Sequence, residues 1–227
     1  MLFYVDGKKE RYNPYNMKKD KKIGEGQEVD AYVVGDQVVK FYKPYCKKIR
    51  LSLNDVERLK KISTSRILLP TASMLDKKRN LRGYKMDYIE NLGEDSFLLL
   101  PKEERKEELK KLKEDVLNLS DNGVILEDLH QLNTVYHNGI YFIDPGSYKF
   151  VKDDKLTEND KIQCYGINVD RINEFLISSL SHFSLVKHTN ITNSYLKSEK
   201  DNMIDYLFDR EENTLKDYVD NMSKKRW

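Results

Sequence analysis

The chain has 227 residues, 39% hydrophobic and 34% charged, which is enough to bury a core as one domain or as one fold with two lobes. Glycine and proline are too few for a fibrous or disordered class, no run approaches the roughly 20 apolar residues of a membrane span, and Met1-Leu2-Phe3-Tyr4-Val5 is too short for a signal peptide. Net charge is only +2, yet basic residues are in excess over the first hundred positions and acidic residues beyond them, an asymmetry able to steer an anionic ligand or to form a solvated lysine-rich surface.

In chain order, Leu2 to Tyr12 reads as two short strands about the Asp6-Gly7 turn. Asp30 to Val34 and Gln37 to Tyr42 read as an antiparallel pair about Gly35-Asp36, ended by Pro44. Leu53, Val56, Leu59 and Lys60 are spaced for a helix over Asn54 to Ile62, with Ser52 or Asn54 as its cap. Ile67 to Leu75 and Gly83 to Ile89 look extended, joined by the basic turn Asp76 to Arg82. Lys102 to Leu119 is the clearest helix, with Leu109, Leu112, Val116 and Leu119 on one face and Pro101 in front. Asn138-Gly139 is the strongest hairpin signal, flanked by Thr134 to His137 and Ile140 to Ile143. Helical patterning resumes from Asn168, with further helices near Asp201 to Phe208 and Glu211 to Met222. Strands early and helices late predict an α+β class with two lobes. Cys46 and Cys164 form no metal-ligand spacing and read as free thiols.

The residues able to do chemistry concentrate in Asp128-Leu129-His130-Gln131-Leu132-Asn133 and in Asp144-Pro145-Gly146 after the predicted hairpin. Two acids and an amide at this spacing suit phosphoryl transfer: one positions a hydroxyl, the others hold magnesium against phosphate oxygens. Upstream, Gly24 and Gly26 lie between strand signals, where backbone amides can approach phosphates closely. Lys40 ends the next hairpin strand and can contact phosphates, and Glu57 on the following helix can pair with it.

In that order and at those spacings the set resembles the protein-kinase-like superfamily, including atypical minimal protein kinases and aminoglycoside or choline-type phosphotransferases. The resemblance runs from Ile23 to about Leu180. It implies a bilobal fold, with a β-rich N-terminal lobe over residues 1–89 and a reduced helical C-terminal lobe over 90–227. ATP would lie between the lobes, against a hinge at Met86, Asp87, Tyr88 and Ile89. Within the family pattern Gly24 and Gly26 match the phosphate loop, Lys40 the phosphate-contacting lysine and Glu57 its partner. Asp128 matches the catalytic acid, and Asn133 and Asp144 the Mg2+ ligands. His130 suits a role at the transferred phosphate or in the loop, and Asp-Leu-His resembles the loop of many small-molecule kinases.

Three departures qualify the resemblance. Leu126-Glu127-Asp128 replaces His-Arg-Asp, so the arginine that receives an activation-loop phosphate is missing. Asp144-Pro145-Gly146 replaces Asp-Phe-Gly, and no Ala-Pro-Glu signal follows. The expectation is a cytoplasmic ATP- and Mg2+-dependent kinase with a protein Ser/Thr hydroxyl as acceptor. A small-molecule kinase is the runner-up, with a nucleotide-binding pseudokinase and an adenylylating enzyme as further alternatives. Lysine clusters at Lys18, Lys19, Lys21, Lys22 and at Lys77, Lys78, Arg79 come with no nucleic-acid recognition motif. Neither nucleic acid nor membrane is expected as a partner.

Overall fold

The structure, a computed structural model, describes residues 2–12, 22–26, 28–43, 45, 51–152 and 156–186. Strands β1 (Leu2–Val5), β2 (Lys8–Arg11), β3 (Lys22–Glu25), β4 (Val29–Val34) and β5 (Gln37–Tyr42) precede helix α1 (Leu53–Leu59). Then come β6 (Ala72–Leu75) and β7 (Leu81–Asp87), helices α2 (Asp95–Leu98) and α3 (Lys102–Asp121), and the short strands β8 (Val124–Ile125), β9 (Thr134–Tyr136), β10 (Ile140–Phe142) and β11 (Lys149–Phe150). Helix α4 (Glu158–Val186) closes the described chain. The architecture is α+β: β1 to β7 form one antiparallel seven-stranded sheet in the order β2-β1-β6-β7-β5-β4-β3, with α1 inserted between β5 and β6 and the other helices after β7.

Local turn chemistry sets the hairpins. Asp6 and Gly7 adopt φ of 46° and 84°, Gly35 64° and Asn138 50°, the left-handed region that Gly, Asp and Asn enter at least cost. In the β6–β7 turn, the Asp76 carboxylate accepts bonds from the Asn80 and Lys78 amides, the Asn80 side chain and Arg82. These donors, the Asn80 amide first, hold its pKa down at about 2. A carboxylate with a depressed folded pKa adds stability above its unfolded value near 3.9, and that contribution disappears as pH falls through the folded value. The melting-temperature gap between wild type and Asp76→Asn is therefore expected to be full above pH about 4 and to close toward pH 2, in melts recorded across that range. A gap independent of pH would show that the turn does not depend on the ionised carboxylate.

The two sheet faces divide the core. Val39 and Phe41 of β5 join Phe3, Val5, Tyr32, Ala72 and Met74 in a smaller cluster. The alternate residue Val38 faces the main cluster with Tyr84 and Met86 of β7, Val56 and Leu59 of α1, Leu109, Leu112 and Val116 of α3, and Ile172 and Phe175 of α4. Strand alternation places Lys40 on that same inner face, where it is almost wholly buried. At Gly83, opposite Phe41 in register, β7 comes so close to β5 that an added Cβ would lie 2.0 Å from the Lys40 carbonyl oxygen.

Several elements depart from the sequence reading. Gly24 lies within strand β3 instead of a loop, paired with Ala31. Of the predicted stretch Ile67 to Leu75 only Ala72–Leu75 is strand, with Ile67 making an isolated parallel bridge to Phe142. Helix α4 starts at Glu158, ten residues before the expected Asn168. Thr157 and Asp160 bond each other's backbone N–H groups there, a reciprocal cap that opens the helix. The predicted helices at 201–208 and 211–222 lie outside the described residues, as does Cys46, whereas Cys164 is a buried free thiol. Among the described residues no helix is long and apolar enough to cross a membrane.

Candidate active site

The Asp128 loop is held from both sides. Asn168 is fully buried in α4, where its Oδ1 accepts from the Leu126 N–H at 2.7 Å and its Nδ2 donates to Ser120 Oγ and the Val124 carbonyl. This amide ties α3, β8 and α4 to the start of the loop. Asp128 itself has φ of 60°, an uncommon conformation for a residue other than glycine and one that needs support from its surroundings. On the far side, Asn133 Nδ2 donates to the Asp128 carbonyl at 3.0 Å, and the Asn133 N–H and Thr134 hydroxyl both donate to the His130 carbonyl.

His130 Nε2 lies 3.1 Å from Asn133 Nδ2 and 3.4 Å from Asp128 Oδ1. The Asn133 amide is oriented by its bond to the Asp128 carbonyl, with Nδ2 as the donor, and the His130 ring stands beside both that amide and the Asp128 carboxylate. Asp128, His130 and Asn133 thus lie within contact distance as one set. Asp128 remains half exposed, so its carboxylate can meet an acceptor from solvent.

Asp144 arrives from the β9–β10 hairpin. Beyond the Thr134–Phe142 pair, the Ile143 N–H donates to the Asn133 carbonyl at 3.0 Å, which brings Asn133 and Asp144 to the same open end of the hairpin. The hairpin is anchored in turn by α3. The buried Asp115 carboxylate accepts from the backbone N–H groups of Ser65, Arg66 and Ile67, and this segment bonds to Phe142 on both sides. Burial pushes the Asp115 carboxyl above the ordinary range while those N–H donors oppose the shift.

Lys40 meets Asp144 across 104 residues of sequence, its Nζ donating to Asp144 Oδ1 at 2.8 Å and to the Ile143 carbonyl at 2.9 Å. The ammonium also lies 5.8 Å from the centre of the Tyr84 ring. A buried ammonium needs both an opposite charge and hydrogen-bond acceptors, and this site supplies both. The buried hydroxyls of Tyr84 and Tyr148 have no hydrogen-bond partner among the described residues. Burial first, and the Asp144 charge second, hold both phenols un-ionised by raising their pKa well above the ordinary value.

Asp128, His130 and Asn133 therefore form one group and Lys40 with Asp144 another. The Asn133–Ile143 bond joins them, as does a second one in which Ser147 Oγ donates to the Glu127 carbonyl. Glu57 is not part of either group. Its carboxylate pairs with Lys60 at 3.1 Å, and Lys60 in turn holds Asp6 at 2.7 Å, beside a cavity of about 410 Å³. The nearby i+3 lysine takes the glutamate, and Asp144 already satisfies Lys40.

Gly24 and Gly26 also differ from a phosphate-cradling loop. The Gly26 N–H is used within its own turn, donating to the Val29 carbonyl at 2.8 Å, and neither glycine has positive φ. The Met86 to Ile89 stretch leaves β7 with Met86 in the core and the Tyr88 N–H bonded to Asp36. The chain then reaches β9, where His137 Nδ1 donates to the Glu90 carbonyl and the Leu92 N–H to Tyr136. The segment thus links the sheet directly to the hairpin that carries Asp144.

Among the described residues no cluster of three or more His, Cys, Asp or Glu is placed to hold a metal. Asp144 and Asn133 nevertheless fit magnesium, which takes one or two protein oxygens and completes its shell with phosphate and water. Among the described residues, Lys40 bonds Oδ1 of Asp144 and the Asn133 side-chain bonds use its Nδ2, so one oxygen of each side chain is left for a cation. Sequence reading did not reveal the contacts of Asn168 or Ser147, nor the ion pairs of Lys149 and Arg171 with Glu127, since none carries a local motif. No protein-family model matches the chain, and no curated protein matches it.

Proposed function

We propose that the chain is an ATP- and Mg2+-dependent phosphotransferase of protein-kinase-like bilobal fold, passing the γ-phosphate to a protein Ser/Thr hydroxyl. Its N-terminal lobe is residues 1–89 and its C-terminal lobe 90–227. The observation that carries this reading is the Lys40–Asp144 contact, which sets a buried cation from the sheet against a carboxylate beside the Asp128–Asn133 loop. The arrangement puts positive charge where phosphates accumulate negative charge, and an exposed carboxylate where a hydroxyl must lose its proton.

Asp128 orients the acceptor hydroxyl and takes its proton as that oxygen bonds to the γ-phosphorus and the bridging β–γ oxygen departs with ADP. Lys40 offsets charge on the phosphates, and Asn133 and Asp144 hold magnesium. The ion, when bound, neutralises and orients phosphate oxygens. Met86 to Ile89 form the nucleotide-facing hinge between the lobes. In the described geometry Gly24 lies in the β3–β4 hairpin, and Glu57 pairs with Lys60, which holds Asp6, not with Lys40.

His130 favours a second reading, a small-molecule kinase, because its half-exposed ring stands beside Asp128 where a small hydroxylated acceptor would bind. Incubating the purified chain with Mg2+, a cell extract and either γ- or α-labelled ATP separates the readings. Label from the γ position on protein supports the protein acceptor, and label on a metabolite supports the small molecule. Label from the α position identifies adenylyl transfer, and nucleotide binding without transfer identifies a pseudokinase.

A further inference from the structure

Glu127 stands immediately before Asp128, and its carboxylate is the meeting point of two cations. Glu127 Oε1 accepts from Lys149 Nζ at 2.8 Å and from Arg171 Nη2 at 2.9 Å. Its carbonyl accepts from Ser147 Oγ at 3.0 Å. Lys149 belongs to β11, which pairs with β8 directly upstream of the loop, and Arg171 belongs to α4. Two separate parts of the chain, the Ser147–Lys149 segment and helix α4, therefore converge on the residue that precedes the half-exposed Asp128.

Resting on the phosphotransferase reading, we infer that Glu127, clamped by Arg171 and Lys149, is a positioning residue that fixes the Asp128 carboxylate without any phosphorylation of the chain. Asp128 has φ of 60°, and a backbone in that region persists where neighbouring contacts over-determine it. Asn168 fixes Leu126 and Asn133 fixes the Asp128 carbonyl, so Glu127 is the remaining link between those two anchors. Its side chain is largely sheltered, whereas Lys149 is mostly exposed. The Arg171 arm is accordingly the stronger one, since an exposed lysine pair is screened by solvent.

The chemistry of the clamp inverts the arrangement expected of a phosphorylation-dependent kinase. There an arginine beside the catalytic acid awaits a phosphate. Here the residue beside the acid is the anion, and the chain supplies both cations, one of them five residues after Asp144. Ser147 makes a second connection through the backbone, which ties the segments bearing Asp128 and Asp144 together. Displacing a reacting group by about 1 Å can lower a rate roughly a hundredfold, which gives such a tie a direct effect on turnover.

The test uses the full chain with Mg·ATP, following phosphate release to water together with γ-label transfer, and compares Glu127→Gln, Lys149→Ala, Arg171→Ala and Arg171→Lys. Glu127→Gln is expected to lower kcat about tenfold or more while KM for ATP stays within about twofold. Lys149→Ala, at the exposed end, lowers kcat less, and Arg171→Lys recovers much of what Arg171→Ala loses. Prior phosphatase treatment of the wild type leaves kcat unchanged. Wild-type kcat in Glu127→Gln overturns the inference while leaving the phosphotransferase reading intact. So does a parallel change in kcat and KM that merely follows a lower melting temperature, and so does loss of activity after phosphatase treatment. A wild type that releases no phosphate and transfers no label overturns the phosphotransferase reading, and the inference with it.

Discussion

Asp128→Asn is expected to lower turnover by roughly a hundredfold or more, about 2.7 kcal/mol in the transition state, with ATP binding retained. Asparagine has nearly the shape of aspartate and is equally at ease at the positive φ of this position. The substitution therefore keeps the backbone turn and the Asn133 bond to the residue 128 carbonyl. What it removes is the anionic oxygen able to accept the acceptor's proton. Measuring kcat alongside nucleotide affinity distinguishes the roles, because a residue that held nucleotide would raise the dissociation constant instead. Wild-type turnover in purified Asp128→Asn would show that another group performs this task.

Gly83→Ala carries the largest expected cost in stability, on the order of 4 kcal/mol, in the range reserved for severe steric or core defects. Its added Cβ would meet the Lys40 carbonyl oxygen at 2.0 Å and the Phe41 Cα at 3.2 Å. Both obstacles are backbone atoms of β5, so no side chain can turn away to make room. The strands must separate, and Lys40 is the residue displaced. For a chain of this size the melting temperature should fall by roughly 10 °C. Nucleotide-dependent activity should fall further than unfolding alone accounts for when assayed well below the melt. A variant melting within a degree or two of wild type would show that the β5–β7 approach relaxes easily and does not constrain Lys40.

Hairpins were legible because their information is local. Asp6-Gly7, Gly35-Asp36 and Asn138-Gly139 each contain residues that tolerate the backbone their turns adopt. Helix α3 was legible for the same kind of reason, since Leu109, Leu112, Val116 and Leu119 repeat at helical spacing and all are buried. Strand β3 was not, because its residues are mostly exposed and glycine-containing and it owes its form to pairing with β4. The two-residue strands β8 and β11 are defined only by one another. The start of α4 rests on the reciprocal cap of Thr157 and Asp160, whereas the apolar repeat that marks a helix in the sequence, Ile172, Phe175 and Leu176, lies well inside it. Asn168 proved to be a buried polar junction in mid-helix.

The candidate site divides along the same line. Asp128, His130 and Asn133 lie within six residues, and their spacing announced that they would share a loop. The partner of Lys40 was not readable from spacing alone, because the contact with Asp144 spans 104 residues and depends on how the sheet meets the β9–β10 hairpin. Glu57 reads in sequence as a partner for Lys40 because it lies on the helix that follows the lysine's strand, whereas in the fold it meets the neighbouring Lys60 and, through it, Asp6. The clamp on Glu127 has a comparable origin: Lys149 and Arg171 are ordinary surface-type residues in sequence and acquire meaning only when β11 and α4 converge.

The most direct test of the central claim is Mg2+-dependent transfer of γ-label from ATP by the purified chain in a cell extract, comparing wild type with Asp144→Asn. Removing the carboxylate charge leaves Lys40 without its anion and takes away a magnesium ligand, so transfer should fall about a hundredfold or more. The prediction is label that requires both Mg2+ and Asp144 and comes from the γ position alone. Equal labelling by wild type and Asp144→Asn, or no Mg2+-dependent labelling by the wild type, would contradict it.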